Sequence, residues 1–421
     1  MRNRVIQLLT ALLIVSPAYP WAAESEPRPV SVEALIAEAL RVNPGLRAAR
    51  ESWSAALEGP AQAGALPDPK LSVSRMTEEI QTRGGPIRGK VGVAQSFPFY
   101  GKRALKGEVA ARRADVEKYA YRAMELKVRS QVVRAYYDLH YLRRADQVLG
   151  EQVRFLRHFS RVAEKKYAVG RGPQAMVFRA QAEISRLQND VITAQQEAKS
   201  VQARLNSLLN RKPWEDIGPL RAPAFPELHW RLPDLRERAL KERPELLALG
   251  ALEGKSEAER KLAFKRFFPD FVVGYEWTRI GAGSTMSSFD GKDAHGVTVG
   301  ISLPIWGRSL GAGHRGAKYG QRAATLKRED MVNGTLAELE DLSVRVETAV
   351  RLVKVDEESI LPQIRAALKS TLSGYESDSV GFLDLLDAER VLLRQELGHV
   401  RHKVMFHQLV AEIERIVGGA I

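Results

Sequence analysis

Apolar side chains follow a regular helical spacing through the longest proline-free stretch of the chain, between Pro98 and Pro173. The steps of three, four or seven residues are typical of a coiled-coil seam. A helix of about 65 residues would be about 100 Å long, which exceeds the depth of a globular core. We therefore predict that this helix packs side by side against other long helices. The seam consists of Val128, Val132, Ala135, Leu139, Leu142, Leu149, Val153, Leu156, Ala163 and Tyr167.

A second long helix is predicted from Arg308 to Tyr375, and Pro362 should kink it near its end. Shorter helices should precede and follow each long one. Their predicted ranges are 31–65, 174–210, 233–266 and 381–417.

A different pattern, with a period of two residues, lies between the short and long helices. Apolar and small or polar residues alternate over 296–303, and the apolar positions of 271–278 are aromatic or aliphatic. This alternation predicts strands with one apolar face. The first half has weaker counterparts at 70–76 and 90–97. Each half thus offers one hairpin, and the linking segments 77–89 and 279–295 are expected to be exposed loops.

The two halves of the chain repeat one another. Residues 231–249 resemble residues 31–49, and residues 296–309 resemble residues 90–103. Such a unit, about 200 residues long, is too long for a solenoid repeat and indicates two copies of one structural half. The predicted boundaries are 24–210 for the first repeat, 211–232 for a proline-rich linker and 233–421 for the second repeat.

The amino terminus has the features of a secretory signal peptide, predicted for residues 1–23. Two arginines precede a short apolar run, and small residues follow it up to Ala22 and Ala23. The chain has no cysteine, so neither disulfides nor a lipid-bearing cysteine are expected. The formal net charge is +13, but no nucleic-acid-binding signature accompanies it, and nucleic acid is not an expected partner.

Four strands per chain cannot close a barrel, and an open sheet edge is not tolerated in lipid. Transmembrane barrels begin at eight strands, and a trimer of this chain would supply twelve. Aromatic residues near the strand ends fit an interfacial belt. The predicted fold is therefore mainly α, with a small membrane β-barrel. An ordinary soluble antiparallel sheet would alternate in the same way and remains an alternative. The belt residues are Phe97, Phe99, Tyr100, Phe267, Phe268 and Trp306.

The chain resembles the TolC family of outer-membrane efflux proteins in its motifs and in their order along the sequence. Asn43-Pro44 lies in the first helix, proline and glycine follow the strands at Pro98 and Gly101 and again at Pro304 and Gly307, and LDLLDAER occupies 383–390. The resemblance implies a homotrimer with a twelve-stranded barrel in the outer membrane and a long α-helical barrel in the periplasm. It also implies a periplasmic adaptor protein and an inner-membrane pump as partners.

The resemblance also suggests where the channel narrows. Asp384 and Asp387 lie three residues apart on one helix face, where the aspartates of the family motif ring the constriction. Without the resemblance, the pair would be interpreted as solvated acids near a helix amino terminus. Tyr375 matches a tyrosine that helps latch the closed tip of TolC, whereas Val380 stands where TolC has an arginine. At the repeat offset Asp384 falls on Met176, so the acidic tip is not duplicated.

No catalytic constellation emerges, and the expected protein is a passive exit duct that needs no cofactor. Residues 311–316 match a dinucleotide fingerprint but lack the required βαβ context. His407 does not share a clean helix face with His399 and His402, so a metal site is not predicted. Heavy-metal cations are the slightly favoured cargo, and drug efflux or type I secretion is an alternative. A periplasmic adaptor or a soluble coiled-coil scaffold are rivals from other classes.

Overall fold

A computed structural model describes residues 29–225, 230–283 and 288–421, so the predicted signal peptide lies outside the described residues. Ten α-helices and four strands lie in these ranges, together with one π-helical turn between α8 and α9. In chain order the elements are α1 Val32–Val42, α2 Pro44–Leu57, α3 Gly59–Gly64, β1 Lys70–Thr82, β2 Gly85–Phe97, α4 Lys102–Ala168, α5 Gln174–Leu208, α6 Leu232–Glu242, α7 Pro244–Lys265, β3 Asp270–Ile280, β4 Ala294–Ser302, α8 Gly307–Val355, α9 Leu361–Glu376 and α10 Phe382–Ile416.

The first long helix is present as α4, with 67 residues in one uninterrupted run. At 1.5 Å per residue it is about 100 Å long. Most of the predicted seam is buried, from Val128 to Ala163. Tyr167 was wrongly assigned to the seam: it is exposed, because it lies in the last turn of α4, where the hairpin ends.

The second long helix runs from Gly307 to Glu376, and a π-helical turn over Asp356–Ile360 divides it into α8 and α9. Val355 and Leu361 on either side keep right-handed helical torsions, so the helix continues through the turn. Pro362 follows the turn after one residue, Leu361. Because proline lacks an amide hydrogen and crowds the preceding turn, the wider π-turn accommodates it without ending the helix.

The shorter amino-terminal helix of each half is divided, which corrects the predictions for 31–65 and 233–266. In both halves the break precedes a proline, at Asn43-Pro44 and at Arg243-Pro244, and the residue before proline is extended, with ψ of 120° and 116°. Proline disfavours the α conformation of the residue before it. Asn43 also caps α2, since its side-chain oxygen accepts a hydrogen bond from Leu46 N at 3.0 Å.

The four strands form one antiparallel sheet in the order β1-β2-β3-β4. The predicted loop over 77–89 is wrong, because β1 continues to Thr82 and β2 starts at Gly85. The polar residues 77–82 hide the alternation, but backbone pairing continues past an irregularity between Arg75 and Ile80. Apolar side chains project from one face into solvent, among them Leu71, Val73, Tyr275, Val297 and Val299.

Helix α4 is the centre of the packing. It contacts α2 and α7 towards the sheet, and α5 and α10 further along. One apolar cluster joins α4, α5, α9 and α10 at the end of the hairpins furthest from the sheet. None of the helices within 29–225, 230–283 and 288–421 combines the length and apolar character needed to cross a membrane.

Candidate functional site at the distal tip

Two helical hairpins, α4–α5 and α9–α10, end side by side about 100 Å from the sheet. Their turns, residues 169–173 and 377–381, are called here the distal tip. Gly170 reverses the first turn with φ of 75°, and Asp378 reverses the second with φ of 60°. A left-handed backbone is uncommon for a residue with a side chain, although aspartate tolerates it better than most. The second turn therefore depends on the residue at position 378, where aspartate adopts this conformation.

The second turn closes over the backbone of Gly374. The Gly374 carbonyl accepts hydrogen bonds from Ser379 N at 2.8 Å and Val380 N at 3.1 Å. Val380 packs so closely that a β-carbon on Gly374 would lie 2.5 Å from its Cγ2. Val380, which stands in place of the TolC arginine, thus shapes the turn by packing.

Tyr375 lies inside the tip and is 3% exposed. Its ring packs against Phe159 of the first hairpin and Phe382 of the second, each with a centroid distance of 5.9 Å. Burial raises the pKa of its hydroxyl, which has no hydrogen-bond partner among the described residues. In this conformation Tyr375 holds the hairpins together through its ring, and its role in a gate stays a prediction.

Lys166 at the end of α4 joins the first hairpin to the second turn. Its ammonium forms an ion pair with Asp378 and donates a hydrogen bond to the Tyr375 carbonyl at 3.3 Å. The same ammonium lies 4.3 Å from the centre of the Tyr375 ring, within the range of a cation–π contact. The hydrogen bond from Lys166, together with its positive charge, lowers the pKa of Asp378. Lys166 therefore contacts both the backbone and the side chains of the opposite hairpin.

A second polar link lies further up the tip, between α5 and α10. Glu183 is 4% exposed and accepts hydrogen bonds from Arg390, with Nη2 to Oε2 at 2.5 Å and Nε to Oε1 at 3.1 Å. Arg186 also donates to it, at 2.6 Å. These hydrogen bonds, first that of Arg390, hold the pKa of Glu183 at about 2. The buried charge is thus compensated from both hairpins.

The predicted constriction residues lie on the solvent-exposed face of α10. Asp384 and Asp387 are both exposed, on the face of α10 opposite Phe382, Leu385 and Leu386. Asp384 also accepts a hydrogen bond from Gly381 N at 3.2 Å, so it contributes to the start of α10. The structure therefore brings the two aspartates together but not with Tyr375, which packs on the buried face.

The polar links of the tip were missed by the sequence analysis. Lys166 and Asp378 are 212 positions apart, and Glu183 and Arg390 are 207 apart. Arg390 does occur in the motif LDLLDAER, yet nothing in that motif indicates its partner. The one available signal was that both separations are close to the length of the repeat, about 200 residues. Equivalent positions of the two halves therefore lie at the same level.

Comparison with known proteins fits this architecture. The sequence model described as outer membrane efflux protein matches residues 35–211 and again residues 235–419. The chain belongs to this family. It is therefore an outer-membrane efflux channel that extends into the periplasm, and the resemblance inferred from the motifs is confirmed.

Individual members of the outer membrane efflux family have low sequence identity to this chain. The cobalt-zinc-cadmium resistance protein CzcC of Cupriavidus metallidurans is 21% identical over 96% of this chain and 92% of its own length. Toxin and drug export protein A of Aggregatibacter actinomycetemcomitans is 24% identical over 64% of this chain and 60% of its own length. The solved outer-membrane channel OprN superposes with a TM-score of 0.78 and 23% identity, covering 92% of this chain and 90% of OprN. The superposition with OprN shows that the two chains share a fold.

Proposed function

We propose that this protein is the outer-membrane duct of a tripartite efflux system. Three copies would form a continuous passage through the outer membrane and the periplasm. An inner-membrane pump would load the duct through a periplasmic adaptor protein. The duct itself is passive, and the chain carries out no enzymatic step. Membership of the outer membrane efflux family supports this proposal.

The observation that supports a trimer is the open edge on each side of the four-stranded sheet. Within the described residues β1 pairs only with β2, and β4 pairs only with β3, so each outer strand has a free edge. The strands contain 9 to 13 residues, which is enough to cross a bilayer with tilt. Unpaired backbone groups are very costly in lipid. Three sheets of four strands would pair all edges in a barrel of twelve.

Divalent metal cations are the proposed cargo. The observation in favour is the similarity to the cobalt-zinc-cadmium resistance protein over almost the whole chain. Drug efflux is the second candidate, because Toxin and drug export protein A is also similar. A deletion strain challenged in parallel with cobalt, zinc and cadmium salts and with drugs separates the two. Sensitivity to metals, restored by the wild-type gene, is expected. Sensitivity to drugs alone would overturn the metal assignment.

Asp384 and Asp387 are the proposed constriction. In a threefold assembly their exposed face would place six carboxylates around one axis, and such a ring attracts cations. We expect Asp384→Ala with Asp387→Ala to weaken block of single-channel conductance by multivalent cations on the order of tenfold. Asp341→Ala with Glu347→Ala, two exposed acids on α8, is the matched control and should leave the block unchanged. An unchanged block in the first variant would place the constriction elsewhere.

A further inference from the structure

A groove lined by basic and apolar side chains lies where the helices meet the sheet. It is formed within one chain by the start of α4, the last turns of α7 and the beginning of α8, and its volume is about 660 Å³. Neither the proposed constriction nor the distal tip uses its residues. We call it the junction groove and define it by the side chains of Tyr100, Leu105, Arg260, Lys261, Phe264 and Lys265.

Three cations line the junction groove, and no acidic side chain lines it in the described part of the chain. Lys261 is balanced from outside the groove by Glu257, with Nζ to Oε1 at 2.8 Å. Among residues 29–225, 230–283 and 288–421, no carboxylate forms an ion pair with Arg260 or Lys265, and the buried Nε of Arg260 has no hydrogen-bond partner. A buried donor without an acceptor is rare and costly. Two positive charges in the groove are therefore left for an anion from outside the chain.

Stacked aromatic rings hold Lys265 at the edge of the junction groove. Its ammonium lies 5.4 Å from the centre of the Phe99 ring and 5.4 Å from the centre of the Phe268 ring. These two rings stack on each other with a centroid distance of 4.7 Å. Cation–π contacts position an ammonium without supplying a counter-ion. The charge of Lys265 is thus fixed in place and still available.

Apolar side chains cover the rest of the junction groove. Tyr100 is 89% exposed and Phe264 is 52% exposed, and Leu105 lies beside them. Exposed aromatic rings next to long basic side chains are typical of the level where a membrane meets water, because rings and alkyl stems contact lipid while charged ends reach the headgroups. The combination of charge and apolar surface matches an amphiphile better than a free ion.

The junction groove lies at the depth of the lipid headgroups. Helix α7 ends at Lys265 shortly before β3 begins at Asp270, and Tyr100 follows the end of β2 at Phe97. In an outer-membrane channel that extends into the periplasm, this level lies on the periplasmic side of the hydrocarbon layer. From Lys265 to Arg260 the helix rises about 8 Å. One headgroup layer is about 5 to 8 Å deep, so the two cations span it.

We propose that the junction groove binds one anionic glycerophospholipid of the periplasmic leaflet per chain. Arg260 and Lys265 would contact the phosphate oxygens, while Tyr100, Leu105 and Phe264 would contact the glycerol and the first part of the acyl chains. The planar guanidinium of arginine suits phosphate and stays charged at any physiological pH. An anionic headgroup is favoured over a zwitterionic one, because no carboxylate in the lining could receive an ammonium group.

This proposal goes beyond the duct and depends on neither its cargo nor its oligomeric state. It rests on the membership of the outer membrane efflux family, which gives the chain its place in the outer membrane. A bound lipid would join α4 to α7 directly below the strands. If no lipid binds, the proposed duct still stands, and if the strain tests assign drugs as the cargo, the lipid site is unaffected.

The test is native mass spectrometry of the full-length protein in an uncharged detergent, titrated with phosphatidylglycerol. We expect one tightly bound lipid per chain. Phosphatidylethanolamine with the same acyl chains should bind about fivefold more weakly, because its headgroup has no net negative charge. Arg260→Gln with Lys265→Gln should weaken the binding of phosphatidylglycerol roughly 25-fold, since each cation near an anionic lipid contributes about fivefold.

A matched control and a conservative variant separate a specific site from general attraction. Arg351→Gln with Lys354→Gln removes the same two charges from exposed positions of α8, about 65 Å from the sheet, and should bind lipid as the wild type does. Arg260→Lys keeps the charge but removes the buried Nε donor, so it should keep the helical circular dichroism of the wild type and lose about threefold to tenfold in affinity.

Three results would overturn the lipid site. The first is unchanged affinity for phosphatidylglycerol in the double variant of Arg260 and Lys265. The second is equal binding of phosphatidylethanolamine, which would remove the argument from charge. The third is displacement of the lipid by millimolar inorganic phosphate, which would show that the groove takes free anions.

Discussion

Two buried glutamates in the tip region, Glu183 and Glu389, have opposite electrostatic surroundings. Glu183 receives hydrogen bonds from Arg390 and Arg186, which lower its pKa to about 2. Glu389 is 5% exposed, and one of its oxygens has no hydrogen-bond partner among the described residues. Burial raises its pKa, although a hydrogen bond from Gln152 partly opposes the shift. The same substitution should therefore have opposite effects at the two positions.

Glu183→Gln should destabilise the protein by about 2 to 3 kcal/mol at pH 7, because two arginines lose a charged acceptor. A carboxyl whose pKa is lowered on folding stabilises the folded state above its unfolded pKa. That contribution is lost as the pH falls from about 4.5 towards about 2. Thermal unfolding in detergent at pH 7 and pH 3 measures the difference. The exposed acid Glu164, changed to Gln, is the control and should stay within about 0.5 kcal/mol of the wild type. A difference that does not shrink in acid would contradict the ionic explanation.

Glu389→Gln should stabilise the protein at pH 7 by about 1 kcal/mol, because it removes the cost of burying a charge. Here the folded pKa is raised, so the glutamate favours folding only below its unfolded pKa. This contribution disappears as the pH rises through the folded value. The gain from glutamine should consequently be absent at pH 4. A lower unfolding temperature of the variant at pH 7 would show that Glu389 makes a charged contact that this structure lacks.

At the scale of elements, the turn between α9 and α10 depends on one glycine. Gly374→Ala places a β-carbon against Val380, a stiff β-branched residue, and should cost about 1 to 3 kcal/mol. Hydrogen exchange of the amides of 374–384 should accelerate. Gly398→Ala in α10 meets no atom within 4 Å and should be neutral or stabilising by about 0.5 to 1 kcal/mol. Combining Gly374→Ala with Val380→Ala should restore slow exchange. If it does not, the clash is not the cause.

The two halves repeat the same helices and strands, but their turns at the distal tip differ. Both halves break a helix before a proline, extend a hairpin into the sheet and return through a long helix. The turns differ, since the first uses Gly170 and the second uses Asp378 paired with Lys166. The ion pair between Lys166 and Asp378 therefore has no equivalent at the corresponding positions of the other turn among the described residues.

At the scale of the whole molecule, the open sheet determines the expected assembly. Detergent-solubilised protein should have the mass of three chains, because each free edge of β1 would pair with β4 of a neighbour. Native mass spectrometry or light scattering measures this directly. A monomer in a mild detergent, with the strands intact by circular dichroism, would contradict both the trimer and the proposed duct.

Much of the architecture could be predicted because it depends on local periodicity. The seam from Val128 to Ala163 and the strands β3 and β4 follow directly from apolar spacing. Where the spacing carried no signal the prediction failed, as in the polar end of β1, whose pairing depends on backbone hydrogen bonds that any side chain permits.

The sequence alone determined the duplicated plan, the long helices and the family, because repetition and period are properties of the chain. Only the tertiary structure decided which charges meet. The pairs Lys166–Asp378, Glu183–Arg390 and His402–Asp356 join residues from different helices. Hydrogen bonds and ion pairs act over a few ångströms, so their partners follow from the packing of helices and not from their order along the chain.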